Sequence, residues 1–229
     1  MKLVCSSLDA PFTLETERVN ILQIETPALF ARFAHAASLF FSEETQEPAR
    51  LYSNDSEELD LKKNMFFVGD ILHLDFADKQ ITSLLFKWIV KAIREHEIEN
   101  DITTRDYALQ NLLDTLLLEL HGDYTFRDEW DAVKYSKMHG LAVDIVESDS
   151  LFDKALAFLN IASDFFPYHL LVFVHVRSYM SEEEYAVFAE QCIAQGLCVL
   201  LIESGAETSQ QKWERGVFID GNFIEKNFG

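Results

Sequence analysis

Two groups of side chains in this 229-residue sequence have types and spacing that could do chemistry. The first is acidic. Between Glu95 and Asp153 there are 15 carboxylates against four Arg or Lys, a local charge of −11. Glu119, Asp123, Asp128, Glu129 and Asp131 fall around one helix–loop–helix corner of that region. A hard cation such as calcium needs six to eight oxygens, several of them carboxylate, and a chain reversal gathers such groups from both sides of a loop. The spacing is not that of an EF-hand. The other reading is that Asp128 and Glu129 only favour a helix N-terminus through its dipole, and spacing alone leaves both open. The second group is basic. Lys87, Lys91 and Arg94 recur at i, i+4 and i+7, opposite Ile81, Leu85, Trp88 and Ala92, and Lys134 and Lys137 share a face at i and i+3. Segregated cations of this kind suit a polyanion. The simpler alternative is a solvated face with acidic partners one turn away, as Glu95 is to Lys91.

Several other chemistries lack their residues. Thr26-Pro27, not a glycine-rich turn, follows the buried run Val19–Glu25, and no Gly-Lys-Ser/Thr occurs, so the phosphate loop of a nucleotide hydrolase is missing. There is no Gly-x-Ser-x-Gly elbow. The seven histidines are scattered, and Cys192 shares a helix face with Phe188 and Ala189, the place of a small core residue rather than a nucleophile. With Cys5 and Cys198 it makes an odd, sparse set, expected to be reduced thiols in a cytosol.

The elements that must position the two groups are legible from periodicity. Leu170–Val176 and Leu197–Glu203 are short apolar runs separated by a segment of helical spacing. Ser181 with Glu184 makes a capping box at its start, and Gly196 ends it. Strands apolar on both faces fit a parallel sheet covered by helices. Lys2–Ser6, Val19–Glu25 and Met65–Val68 read as further strands and Ala49–Asn54 as an edge strand. Thr26-Pro27 opens a helix. Asp78 caps a long helix, Lys79 to about His96, whose apolar face is Ile81, Leu84, Leu85, Trp88, Ile89, Ala92 and Ile93. In the Gly- and Pro-poor middle of the chain, one helix is expected from Thr104 to near His121-Gly122. A second is expected from about Asp128 to His139-Gly140, then a short extended piece, Leu141–Ile145. Ser150 and Asp153 box the next helix, which ends near Ser163. Val217–Ile219, Asp220-Gly221 and Asn222–Ile224 give a tight-hairpin signal, after a polar segment, Ser204–Gln211. The expected fold class is therefore α/β, a mostly parallel sheet core, with a helical leg inserted: residues 1–96 and 148–229 as a head and 97–147 as the leg.

The formal net charge is −20, from 39 acidic and 19 basic side chains. Such a surface repels phosphate over a Debye length of about 8 Å at physiological salt, so composition by itself argues against nucleic acid. No run approaches a membrane span, and MKLVCSSLDAPF lacks the apolar core of a signal peptide. The expectation is a cytoplasmic protein with no membrane partner.

The succession VNILQIE, MFFVGDIL with a long helix, an acidic helical arm, HGLAVDI, HLLVFVHVRSYMSEEEYAVFAEQCIAQGLCVLLIES and a closing hairpin resembles the CRISPR-associated accessory protein family of type II-A systems, which acts in acquisition of new spacers. The resemblance runs nearly end to end, most specifically over Phe126–Asp144 and Leu170–Glu203. It implies a non-catalytic protein whose head is a degenerate P-loop-like fold, in keeping with the missing glycines. It further implies a homotetrameric ring supported by calcium on leg carboxylates, which correspond to Glu119, Asp123, Asp128, Glu129 and Asp131. Double-stranded DNA, entered at its ends, would pass without sequence preference through a lysine-lined hole. Other adaptation proteins and the effector nuclease would be partners. The candidate DNA contacts Lys87, Lys91, Arg94, Lys134 and Lys137 come from periodicity, since the family's lysines follow no fixed motif. Two rival functions are a degenerate nucleotide-binding protein and an acidic protein–protein scaffold of the adaptation machinery.

Overall fold

A computed structural model describes residues 1–126, 129–143 and 150–229. Packing divides the chain into two compact units, Met1–Asp75 with Ile145–Gly229, and Phe76–Asp144. The long helix after Asp78, assigned to the head by its sequence, thus packs with the helical unit.

In chain order the first unit holds β1 (Lys2–Cys5), β2 (Phe12–Thr13), β3 (Val19–Ile24), α1 (Pro27–Ser38), β4 (Ala49–Tyr52), β5 (Glu58–Leu59), α2 (Leu61–Asn64) and β6 (Met65–Asp70). The second unit holds α3 (Lys79–Glu95), α4 (Glu99–Leu117) and α5 (Ala132–Met138). The first then resumes with α6 (Leu151–Phe165), β7 (Leu170–Val174), α7 (Glu182–Ala194), β8 (Cys198–Ser204), β9 (Glu214–Ile219) and β10 (Glu225–Phe228).

The main sheet has the order β10-β9-β3-β8-β7-β6. All neighbours from β9 to β6 are parallel, and β10 returns antiparallel along β9. This is the α/β class expected from runs apolar on both faces. Every residue of β3 and β7 is buried. Two polar residues interrupt β3, and both are satisfied. Asn20 donates to the carbonyls of Glu15 at 2.9 Å and Val199 at 2.8 Å, and accepts from the Glu15 N–H. Gln23 donates to the Ala206 carbonyl. On one side of the sheet α1 buries Leu29, Phe33, Ala36 and Ala37. Elsewhere in the core, edge-to-face ring pairs join Phe158 of α6 to Phe173 of β7 and Phe173 to Phe188 of α7, each about 0.5–1.5 kcal/mol beyond the area buried.

The capping box predicted for α7 forms in full, the Ser181 side chain accepting from the Glu184 N–H and the Glu184 carboxylate from the Ser181 N–H. Gly196 takes the left-handed conformation that ends the helix (φ 65°). A smaller antiparallel sheet, β2-β1-β4-β5, completes the unit.

Four local expectations are corrected. The predicted edge strand at Ala49 lies inside its sheet, because the charged stretch after it supplies the short strand β5. Thr104 does not cap a helix: α4 begins at Glu99, and the Thr104 hydroxyl donates back to the Asn100 carbonyl at 2.8 Å, as a mid-helix threonine does. The closing hairpin has a five-residue connection, Asp220–Ile224, in place of a two-residue turn. The Asp220 carboxylate accepts from the N–H groups of Asn222 and Ile224, offering the backbone an alternative to the tight turn. Lastly, Trp88 is 53% exposed, whereas Ile81 and Ile93 are buried. The face of α3 turned to its neighbours is rotated toward Phe86, Ile89 and Val90. Helical period identifies an amphipathic helix but does not say which of its apolar rows a neighbour covers. The extended piece expected at Leu141–Ile145 lies partly outside the described residues. No described helix is long and apolar enough to cross a membrane.

Candidate functional site

Within the helical unit α3 and α5 pack together. α5 is short. Asp131 opens it as N-cap, its carboxylate accepting from the Lys134 N–H at 2.6 Å, and Gly140 follows in the left-handed conformation (φ 70°). That start places Val133 and Lys137 toward α3. The result is a trough of about 590 Å³ with Phe86, Val90 and Val133 as its floor and Lys79, Lys87 and Lys137 among its walls. The Lys137 ammonium stands 5.4 Å from the centre of the Phe86 ring, within cation–π range.

Of the five predicted cations, Lys87 and Lys137 are brought together here. Lys91 is spent on an ion pair with Glu95 at 3.5 Å, the one-turn acidic partner anticipated as the alternative. Arg94 and Lys134 are exposed and do not line the trough. Lys79 joins the trough although the basic stripe read from the sequence does not include it. Its spacing from Lys87, eight residues or about two helical turns, is the signal that could have found it.

The acidic corner is less closed. Glu119, Asp123, Glu129 and Asp131 are all exposed, and no group of three potential ligands is assembled among the described residues. Asp128 lies outside the described residues. Asp131 takes the helix-start role that the sequence offers to Asp128 and Glu129. Asp131→Ala is therefore expected to cost about 1 kcal/mol of stability in chelator, while Asp131→Asn, an equally good cap, stays within about 0.5 kcal/mol. Urea denaturation of the three proteins checks this. At the other side of the corner, α4 ends with Asp114 in its last turn, Glu119 just beyond and no basic residue in that turn. Carboxylates at the negative end of a helix dipole are unfavourable without a nearby cation.

The carboxyl ends of the parallel strands are where a ligand of an open α/β sheet would sit. They carry acids with internal partners. Asp70 accepts from the Tyr179 hydroxyl at 2.7 Å, and Glu25 from the Gly221 N–H at 2.6 Å. Glu203, 4% exposed, accepts from the Arg177 N–H at 3.1 Å. Arg177 also lies 3.7 Å from Glu214, which is 1% exposed. Burial pushes the Glu203 carboxyl up to about 7, against the pull of the Arg177 N–H and guanidinium, and the Glu214 charge pushes in the same direction as burial. Burial, followed by the Glu214 charge, also raises the Tyr185 hydroxyl well above the ordinary phenol range. Thr26-Pro27 leads into α1 with no side-chain bond from Thr26, so the turn after β3 is not the glycine-rich cradle of a phosphate loop.

A largely parallel six-stranded α/β unit with an inserted helical unit defines the class. The same fold is found in the crystal structure of Stu0660 of Streptococcus thermophilus, at a TM-score of 0.55 and 13% identity, covering 96% of this chain and 75% of that one. The family model of the CRISPR-associated protein Csn2 matches residues 42–220. The chain belongs to the Csn2 family of CRISPR-associated proteins.

Proposed function

We propose that this protein is a non-catalytic, calcium-dependent binder of double-stranded DNA ends. In this reading it encloses the duplex in the hole of a homotetrameric ring and serves spacer acquisition in the cytoplasm beside other adaptation proteins and the effector nuclease. The observation that carries the reading is membership of the CRISPR-associated family across residues 42–220. Three features of the chain support it. Lys87 and Lys137 converge on one trough of a strongly acidic protein. Asp114 and Glu119 leave the end of α4 without a basic partner in its last turn, where a divalent ion on the corner carboxylates would offset the dipole. Leu109, Leu112 and Leu116, on one face of α4, are 57%, 67% and 60% exposed, a stripe of the kind that marks an interaction surface and that ring closure would cover.

In this reading the DNA contact is to phosphate, so affinity falls steeply with salt and not with sequence. A gel-shift comparing linear with closed circular duplex, each with calcium and with chelator, tests it. Retention of the linear form alone, lost in chelator, is expected. Equal retention of both forms, indifferent to chelator, overturns it.

A further inference from the structure

The aliphatic part of the α3–α5 trough's floor is idle in any contact with a sugar–phosphate backbone. Phe86, Val90 and Val133 are apolar, only partly buried, and enclosed by Lys79, Lys87 and Lys137. None of these lysines has a carboxylate partner among the described residues, and no carboxylate lines the trough, although the chain carries 39 acids. In such a protein the free cations around an apolar floor are a feature to explain. A phosphate-binding surface needs the cations, and of the floor it uses only the Phe86 ring beside the Lys137 ammonium, gaining nothing from Val90 and Val133. A helical segment with apolar anchors flanked by carboxylates uses both: one or two anchors fill the floor, and the acids meet the ammonium groups around it.

We propose that the α3–α5 trough docks an acidic amphipathic helical segment of a partner protein, with Phe86, Val90 and Val133 taking its apolar anchors and Lys79, Lys87 and Lys137 its carboxylates. This surface does not depend on the DNA-binding reading, with which it shares Lys87 and Lys137. Where both hold, duplex DNA and the segment compete.

The probe is a fluorescein-labelled peptide of about 15 residues with Leu at i, i+4 and i+7 and Glu on the flanking positions. Its anisotropy is measured against the full chain, beside a scrambled peptide and one with Lys in place of Glu. Binding of the acidic helix alone is expected, weakened about tenfold or more by Lys79→Glu and by Phe86→Ala, with circular dichroism confirming that both variants fold. Lys79→Glu lies outside the predicted DNA set, so its effect on the peptide is separable from a failure of DNA binding. The proposal is overturned if the three peptides bind alike, or if neither substitution weakens the acidic one. It is also overturned if Phe86→Ala abolishes duplex retention while no peptide binds, which makes the trough a DNA surface. A change in sedimentation of the peptide-free chain on Phe86→Ala would assign the trough to a second copy and overturn it as well.

Discussion

The double variant Lys87→Glu, Lys137→Glu is expected to lose affinity for linear duplex by on the order of 100-fold or more at about 100 mM salt, with its fold intact. Both side chains line one trough, and neither is held by a carboxylate among the described residues, so the substitutions remove two cations from one locus and install two repelling charges. Each lysine that meets a phosphate contributes about one unit to the slope of log affinity against log salt. Replacing both by Ala lowers that slope by about two per contributing subunit, uniformly across DNA sequences. Lys91→Ala serves as the comparison. Its ammonium is paired with Glu95 on an exposed helix face, a type of pair that contributes little, and its loss should change DNA retention far less. Filter binding over a salt series reads both quantities. Unchanged affinity and slope in the double variant would remove these lysines from the proposed DNA surface.

The second large effect lies in the first unit and concerns pH. The Glu203 carboxyl titrates at about 7 in the folded protein against an ordinary value of 4.5, chiefly because it is buried. A group whose folded value is raised contributes stability that is fully present below the unfolded value and is lost as pH rises through the folded one. Between about pH 4.5 and 7 the folded state therefore retains a proton that the unfolded chain has released. The full difference corresponds to about 3 kcal/mol at 1.36 kcal/mol per unit. Glu203→Gln keeps an oxygen for the Arg177 N–H and abolishes the titration. Relative to wild type, the variant should gain about 2.5 kcal/mol between pH 5 and pH 8, the rest of the difference falling below pH 5. Taking the difference between the two proteins cancels other groups, including His169, whose burial lowers it. Urea denaturation in chelator across this range gives the result directly. Parallel stability curves for the two proteins would place the Glu203 titration elsewhere.

The elements that periodicity and capping chemistry specify locally are legible in the sequence itself. The β7–α7–β8 unit follows from two runs of hydrophobic residues, the Ser181–Glu184 box and Gly196. The missing phosphate loop is a property of residue types, and Thr26-Pro27 leads directly into α1 as expected. The α/β class and the placement of a helical unit between two parts of a sheet are likewise written in the order of apolar runs. These features depend on neighbours a few residues apart, whose interactions any folded context preserves.

What distance in sequence brings together was decided only by tertiary structure. Period alone assigns Trp88 to the core and leaves Lys79 unremarked, because it describes a helix face without naming the helix that will cover it. α5 packs where Phe86 and Val90 are, and so joins Lys79 and Lys87 to Lys137. Asp131, one of the acidic corner, also caps a helix, because α5 starts at Ala132. Glu203 and Glu214 look like ordinary strand-end acids until the sheet places both around Arg177. Burial then shifts the Glu203 titration toward neutrality, an effect of dielectric environment that no residue carries in its own sequence.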